Sequence, residues 1–287
     1  MRPISPVRPT LGFDTRHDPY VHLPLKAKAR NELRKHSFDS VAELYDAARP
    51  TYPDELFDDV VRLSRIPANG RILEIGPGTG QATLPMAKRG YSILGLELGP
   101  RLAAIAAKKL ACYPRVAIRN VAFEDWKVEP GAFDLVMSAT AFHWIRPVTG
   151  FSRAAVALRP NGSLALIWNF REAPGDEFHV GLRKIYRRYA PKIGNSRSPE
   201  QRIRKQAEKI TGSGHFGRPT ICRHPWMRTY TTDEYIAQLK TQSDHILLSA
   251  QTQHQLYSAI QALIESLGGK VTRHVIAALF LARKKNR

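Results

Sequence analysis

The sequence predicts an α/β fold, a mostly parallel sheet with helices on both faces. Three observations carry that prediction. Short apolar strands alternate with amphipathic helices between residues 71 and 168. The first of those strands, RILEI (71–75), breaks into a run of glycines and then a helix. The chain has 287 residues, 43% hydrophobic and 24% charged, which suits one large globular α/β domain with an insertion.

Residues 1–36 hold several prolines and no sustained periodicity, and read as an N-terminal extension. Ser40 and Glu43 have capping-box spacing, so a short helix is expected to start there and end before Pro50. Pro53 suits the first turn of the next helix, whose apolar stripe is Leu56, Val60 and Leu63. The alternation then runs through strand RILEI, a helix with Leu84 and Ala87, and strand YSILGLE (91–97). A helix at 101–111, strand VAIRN (116–120), strand FDLVMS (133–138), a helix at 148–158 and strand SLALIW (163–168) follow. Residues 37–170 therefore form the core.

The rhythm breaks at 171–215, where two basic amphipathic helices are expected. In the first, Phe178, Leu182, Ile185 and Tyr189 share a face, while Arg183, Lys184, Arg187 and Arg188 lie off it. The second carries Ile203, Ala207 and Ile210. This segment reads as an inserted helical cap over the C-terminal edge of the sheet, with Tyr186 and Tyr189 packing it. Residues 216–287 complete the sheet with strands near 222–229 and 275–282, which brings the strands to seven. Between them lie a capping box at Thr231 and Glu234 and a helix striped by Leu256, Ile260, Leu263, Ile264 and Leu267. Gly268 and Gly269 stop that helix.

The net charge is +19. Residues 171–230 carry 14 Lys and Arg against 5 acids, and residues 1–36 carry 8 against 3. The core is close to neutral. Such an excess attracts nucleic acid, anionic lipid or an acidic substrate, or is simply a solvated basic surface. No apolar run is long enough for a bilayer span. The first residues, MRPISPVRPTLGFD, have proline and arginine where a signal peptide needs an apolar stretch, so a cytoplasmic location is expected. Cys112 and Cys222 match no metal spacing, and no metal is predicted.

The glycine run, ILEIGPGTGQAT (72–83), admits three readings. A phosphate-binding loop needs a lysine and a Ser or Thr after it, whereas Gln81 and Ala82 follow Gly80. A dinucleotide fingerprint needs Gly or Ala at the position Gln81 holds, or at Thr83 in the next frame. The third pattern, E-x-G-x-G-x-G on Glu74, Gly76, Gly78 and Gly80, resembles the first motif of the class I S-adenosylmethionine-dependent methyltransferases. The second expected feature is an acid at the end of the second strand, which Glu97 supplies.

The resemblance covers roughly residues 37–287 and implies a Rossmann-like, seven-stranded fold with S-adenosylmethionine as cofactor. By it, the bare loop packs on the methionine part and ribose, and Glu97 accepts from the ribose hydroxyls. FEDW (123–126) looks like the adenine-holding segment, with Phe123 and with Glu124 or Asp125 as acceptor. Many relatives place an aspartate where this chain has Ala122. SATAFHWI (138–145) looks like the segment beneath the methionine moiety. FDSVAELYDAARPTYP (38–53) is similar to the N-terminal lid of small-molecule methyltransferases of the trans-aconitate type, which puts Tyr45 and Arg49 over the cofactor. The alternative for Arg49 is a surface charge paired with Asp46 or Asp54. Gln81, Leu98, Ala139 and Thr140 complete the implied cofactor set.

His143 is read as a general base or an acceptor orienter, or else as a neutral ring packed beside Trp144. Trp144, Trp168 and Asn169 are candidates for the acceptor pocket. The function expected is methyl transfer to a small-molecule acceptor, neutral or anionic, by in-line displacement. The alternatives are a nucleic-acid methyltransferase recruited by the basic segments, and a protein that binds the cofactor without catalysis.

Overall fold

The computed structural model describes residues 25–193 and 198–285. Helix α1 (Leu25–Ser37) leads through a 3₁₀ turn (Phe38–Val41) into α2 (Ala42–Ala48), and α3 (Asp54–Ser64) follows. The core then alternates: β1 (Arg71–Ile75), α4 (Thr83–Lys88), β2 (Ser92–Glu97), α5 (Pro100–Lys109), β3 (Val116–Asn120), β4 (Phe133–Ala139), α6 (Pro147–Ala157) and β5 (Leu158–Arg171). Helices α7 (Glu177–Tyr189) and α8 (Pro199–Gly212) precede β6 (Thr220–Thr231). Then come α9 (Thr232–Lys240), α10 (Ser243–Ile246), α11 (Ala250–Ser266) and β7 (Lys270–Arg283).

The seven strands lie in the order β3-β2-β1-β4-β5-β7-β6. The first five are parallel to one another, and β7 runs antiparallel between β5 and β6. Successive side chains of β1 go to opposite faces. Leu73 and Ile75 join the core that contains Phe151 of α6 and Ile203 and Ile210 of α8. Ile72 joins the core that contains Leu56, Phe57 and Val60 of α3 and Met86 of α4. Both faces are covered, so the central strands are largely apolar, with Glu74 of β1 and Ser138 of β4 as buried exceptions. A third cluster joins Phe178 and Leu182 of α7 to Tyr235 of α9 and Ile260 and Ile264 of α11. The two basic helices thus sit apart: α8 packs on the sheet, while α7 packs on the C-terminal helices.

Three local expectations are corrected. Residues 25–36 belong to helix α1 rather than to an irregular extension, and residues 1–24 lie outside the described residues. The Ser40–Glu43 capping box does not form. Ser40 Oγ donates to Ser37 O at 2.7 Å, and Glu43 instead pairs with Arg101 at 2.6 Å. Pro53 stands one place earlier than expected, as the N-cap of α3. The Thr231–Glu234 box forms in full.

Candidate functional site

The strand order reverses beside β1, and in open α/β sheets the crevice above such a point takes the ligand. The glycine loop turns into this crevice. Gly76, Gly78 and Gly80 have φ of +66°, +60° and +89°, which glycine adopts without steric cost. A β-carbon on Gly76 would stand 2.5 Å from Ala141 Cβ. One on Gly78 would fill the gap to the Tyr45 ring, 3.4 Å away. Gly80 has a different job: it closes a turn, donating to Pro77 O at 2.9 Å, and backs onto Leu110.

Glu97 ends β2 and ties the loop down. Its Oε2 accepts from Gly78 N at 2.8 Å and its Oε1 from Gly99 N at 2.9 Å. Burial pushes this carboxyl up from its ordinary range, and the backbone donors pull against that. A carboxylate has about four acceptor positions, so two remain for a ligand. Glu74 lies beneath the loop, fully buried, with no hydrogen-bond partner for either oxygen among the described residues. Burial pushes it up to about 7, and the nearby charge of Glu97 adds to the effect.

The loop faces a chamber of about 270 Å³. Glu97 and Leu98 line one side, Phe123 and Glu124 another, and Ala139 and Thr140 the floor; Tyr45, Arg49, His143 and Trp144 complete it. Asp125 is exposed and outside, which leaves Glu124 as the acid at this wall. Helix α1 covers the opening. Lys35 Nζ meets Glu124 Oε1 at 2.8 Å, Arg34 Nε donates to Ser243 Oγ at 3.1 Å, and the Arg34 guanidinium lies over the Trp144 ring. Asp39 secures the same segment by capping α5 from outside it. Its Oδ1 accepts from Arg101 N at 2.7 Å and Leu102 N at 3.1 Å. These covering residues escaped the sequence reading because their partners are dozens of residues away.

Arg49 is not a surface charge. Asp46 pairs with Lys109 and Asp54 lies by Arg89. Arg49 stacks on the Phe38 and Tyr45 rings, donates to Thr241 O at 2.6 Å, and keeps a buried Nε without a partner among the described residues.

A second, larger chamber of about 1510 Å³ adjoins the first, sharing Tyr45, Arg49, Thr140 and His143 as a common wall. Gln81, Trp168 and Asn169 line this chamber and not the first. At the junction, Thr140 holds a left-handed φ of +55°, strained for a β-branched residue, and its hydroxyl pairs with Tyr52 Oη at 2.9 Å. His143 Nδ1 accepts from Trp168 Nε1 at 3.3 Å, so the neutral ring carries its proton on Nε2. Burial, together with the positive charges of Lys209, Arg34, Arg202 and Arg49, pulls His143 down to about 3. The ring is a hydrogen-bond donor and a weak base.

The first chamber therefore offers a bare backbone cradle, a carboxylate with spare acceptor positions and an orphaned guanidinium N–H. These are fitting partners for an amino-acid-bearing nucleoside. The fold and site define an α/β nucleoside-cofactor protein without a phosphate loop. Residues 73–166 match the methyltransferase domain family. The chain is 31% identical over 193 residues, 66% of its own length and 71% of the relative's, to an uncharacterized methyltransferase-like protein of Schizosaccharomyces pombe. It spans about half (53%) of the mycobacterial methyltransferases it matches at 32% identity. Among solved structures it superposes on a chain of Anaeromyxobacter dehalogenans assigned to the type II methyltransferases, with TM-score 0.60 and 20% identity, over 82% of this chain and 97% of that one. It also superposes on Haemonchus contortus phosphoethanolamine N-methyltransferase 2, solved with phosphomonomethylethanolamine and S-adenosylhomocysteine, with TM-score 0.51 and 17% identity, over 86% and 58% of the two chains. These two likenesses carry the fold. The chain belongs to the class I S-adenosylmethionine-dependent methyltransferases, and S-adenosylmethionine is its cofactor.

Among the described residues, no helix is long and apolar enough to cross a membrane.

Proposed function

We propose that the protein transfers a methyl group to a small-molecule acceptor held in the larger chamber. The observation that carries this reading is the wall shared by the two chambers, on which Arg49, Thr140 and His143 face both. When bound, S-adenosylmethionine supplies an electrophilic methyl group on a sulfonium. Around it the chain binds, orients and keeps water out. Glu97 takes the ribose hydroxyls on its two spare acceptor positions. Arg49, oriented by Thr241 O and two aromatic rings, takes the carboxylate. Phe123 and Glu124 hold the adenine side, and α1 shields the opening. We assign His143 the part of acceptor orienter, donating from Nε2. A ring pulled down to about 3 is a poor proton acceptor at neutral pH.

The test is calorimetric titration of S-adenosylmethionine and S-adenosylhomocysteine into the wild type, Gly78→Arg and Glu97→Ala. Binding of micromolar order that both variants lose is expected. Transfer of labelled methyl to a panel of small molecules then follows. A wild type that binds neither compound would overturn the site assignment.

A further inference from the structure

The larger chamber is strongly one-sided in charge. Eight arginines and lysines line it against two acids, Glu172 and Asp244. Four of these cations lie over aromatic rings; Arg34 and Arg49 belong to the wall shared with the cofactor chamber, which leaves Arg202 and Arg273. Arg273 is 8% exposed, and its guanidinium lies between the rings of Phe178 and Tyr235. Its Nη1 donates to His179 Nε2 at 2.6 Å, and His179 Nδ1 is fixed by Asp176 Oδ1 at 2.6 Å. No carboxylate touches Arg273 among the described residues. Arg202, on α8, lies over the Phe170 ring and has no ion pair or side-chain hydrogen bond among the described residues. Asp176 answers the charge of Arg273 only through His179, and half-buried Arg202 has no carboxylate beside it among the described residues, so each guanidinium still has charge and N–H donors to offer an anion.

Their height above the sheet sets where that anion would sit. Ala139, at the cofactor chamber, pairs with Ile167, which pairs with Leu279. Phe170, beneath Arg202, is three residues further toward the C-terminal edge of β5, or about 10 Å along the strand. Arg273 is six residues beyond Leu279 in the same direction, or about 20 Å along the strand. Phe170 pairs with Ile276, so Arg273, an odd number of residues away on β7, sets out from the opposite face of the sheet; Arg202 and Arg273 enter the chamber on its two sides, at levels about 10 Å apart along the strands. Between these cations the walls are aromatic, from Trp168 and Phe170 to Trp226, Tyr230 and Tyr235.

We propose that Arg273 is the anion anchor of this chamber, with Arg202 a second cation nearer the site of methyl transfer, so that the acceptor carries a carboxylate-like or phosphate-like group at the end remote from the methylated atom, joined through an apolar or aromatic body. This rests on the larger chamber being the acceptor site. His179 and Asp176 act as positioning residues that aim the Arg273 fork. The exposed cations of α7, Arg183 and Arg187, add attraction at the mouth but not the oriented contact.

The experiment uses the full chain saturated with S-adenosylhomocysteine, whose own dissociation constant is measured first in each variant. The probes are 4-phenylbutyrate and 4-phenylbutyramide, alike in body and different in charge. We expect the acid to bind the wild type about ten- to a hundredfold tighter than the amide, as charge-assisted bonds provide. That preference should vanish in Arg273→Gln, shrink in Arg202→Gln and survive partly in Arg273→Lys, with S-adenosylhomocysteine binding unchanged throughout. Equal binding or no binding of the two probes in the wild type overturns the proposal, as does a preference that survives Arg273→Gln and Arg202→Gln. Failure of S-adenosylhomocysteine to bind would count against the cofactor site instead. The probes are then compared on the protein alone, so the two failures stay distinct.

Discussion

Glu74 gives a quantitative test of how the glycine loop is supported. Glu74 is 0% exposed, and neither of its carboxylate oxygens meets a hydrogen-bond donor in good geometry among the described residues, the Thr83 hydroxyl being the one nearby. Burial raises it from 4.5 to about 7. In the unfolded chain it returns to its ordinary value. Between pH 4.5 and 7 the folded protein thus binds a proton that the unfolded chain has lost, so folding stability falls as pH rises through that window. A carboxyl moved from 4.5 to about 7 corresponds to about 3 kcal/mol. Glu74→Gln matches the shape of the protonated acid but cannot ionise. Urea unfolding should find wild type and variant close to equal at pH 4.5, with the variant about 3 kcal/mol more stable at pH 8. A stability difference that is the same at both pH values would refute the reasoning, because Glu74 would then be ionising freely in the folded state.

Gly76→Ala sets a β-carbon 2.5 Å from Ala141 in a left-handed backbone, whereas Gly131→Ala places one at φ +61° with nothing within 4 Å. The first should cost about 3 kcal/mol or more and abolish S-adenosylhomocysteine binding. The second should cost only the ~1 kcal/mol of backbone strain. Paired thermal melts check the contrast. Glu97→Gln swaps one acceptor oxygen for a donor facing either Gly78 N or Gly99 N. About 1–3 kcal/mol of stability should go, with at least tenfold of cofactor affinity, read by denaturation and calorimetry. Lys35→Met removes the contact with Glu124, whose partners are 13% and 26% exposed. S-adenosylhomocysteine should dissociate about fivefold faster, for a loss of ~1 kcal/mol, and cleavage within residues 25–37 should speed up. An unchanged dissociation rate would show that α1 does not hold the chamber shut.

Much of the cofactor side was legible because it is local. Three glycines at positive φ and an acid at the next strand end are short-range requirements written directly into residues 74–97. The same pattern misled slightly at its end, since Gly80 and Gln81 lie on the loop but face Leu110 and the larger chamber. Residues 25–37 carry a helix that their weak periodicity concealed, because its anchors, Glu124 and Ser243, are supplied from far along the chain. The Ser40–Glu43 spacing was a sound local signal overruled by tertiary partners: Arg101 takes Glu43, and Asp39 spends its carboxylate on α5. Arg202 and Arg273 were invisible as a pair, for nothing in their spacing says that β7 and α8 meet across one chamber.

The position of β7 has a consequence for how the molecule is made. Its Ala277–Ala282 segment is buried between β5 and β6, yet among the described residues it follows both of them in sequence. During vectorial synthesis β6 emerges before the strand it pairs with, and its Ile221 and Trp226 have no sheet to lie against until residue 283 is in place. The half-built protein is a parallel sheet with an open apolar flank at β5, the kind of edge that invites pairing with a stranger. Closure inserts β7 between β5 and β6, with α9, α10 and α11 already made between the two paired strands. The fourteen residues of β7, Lys270–Arg283, therefore act as the keystone of the sheet.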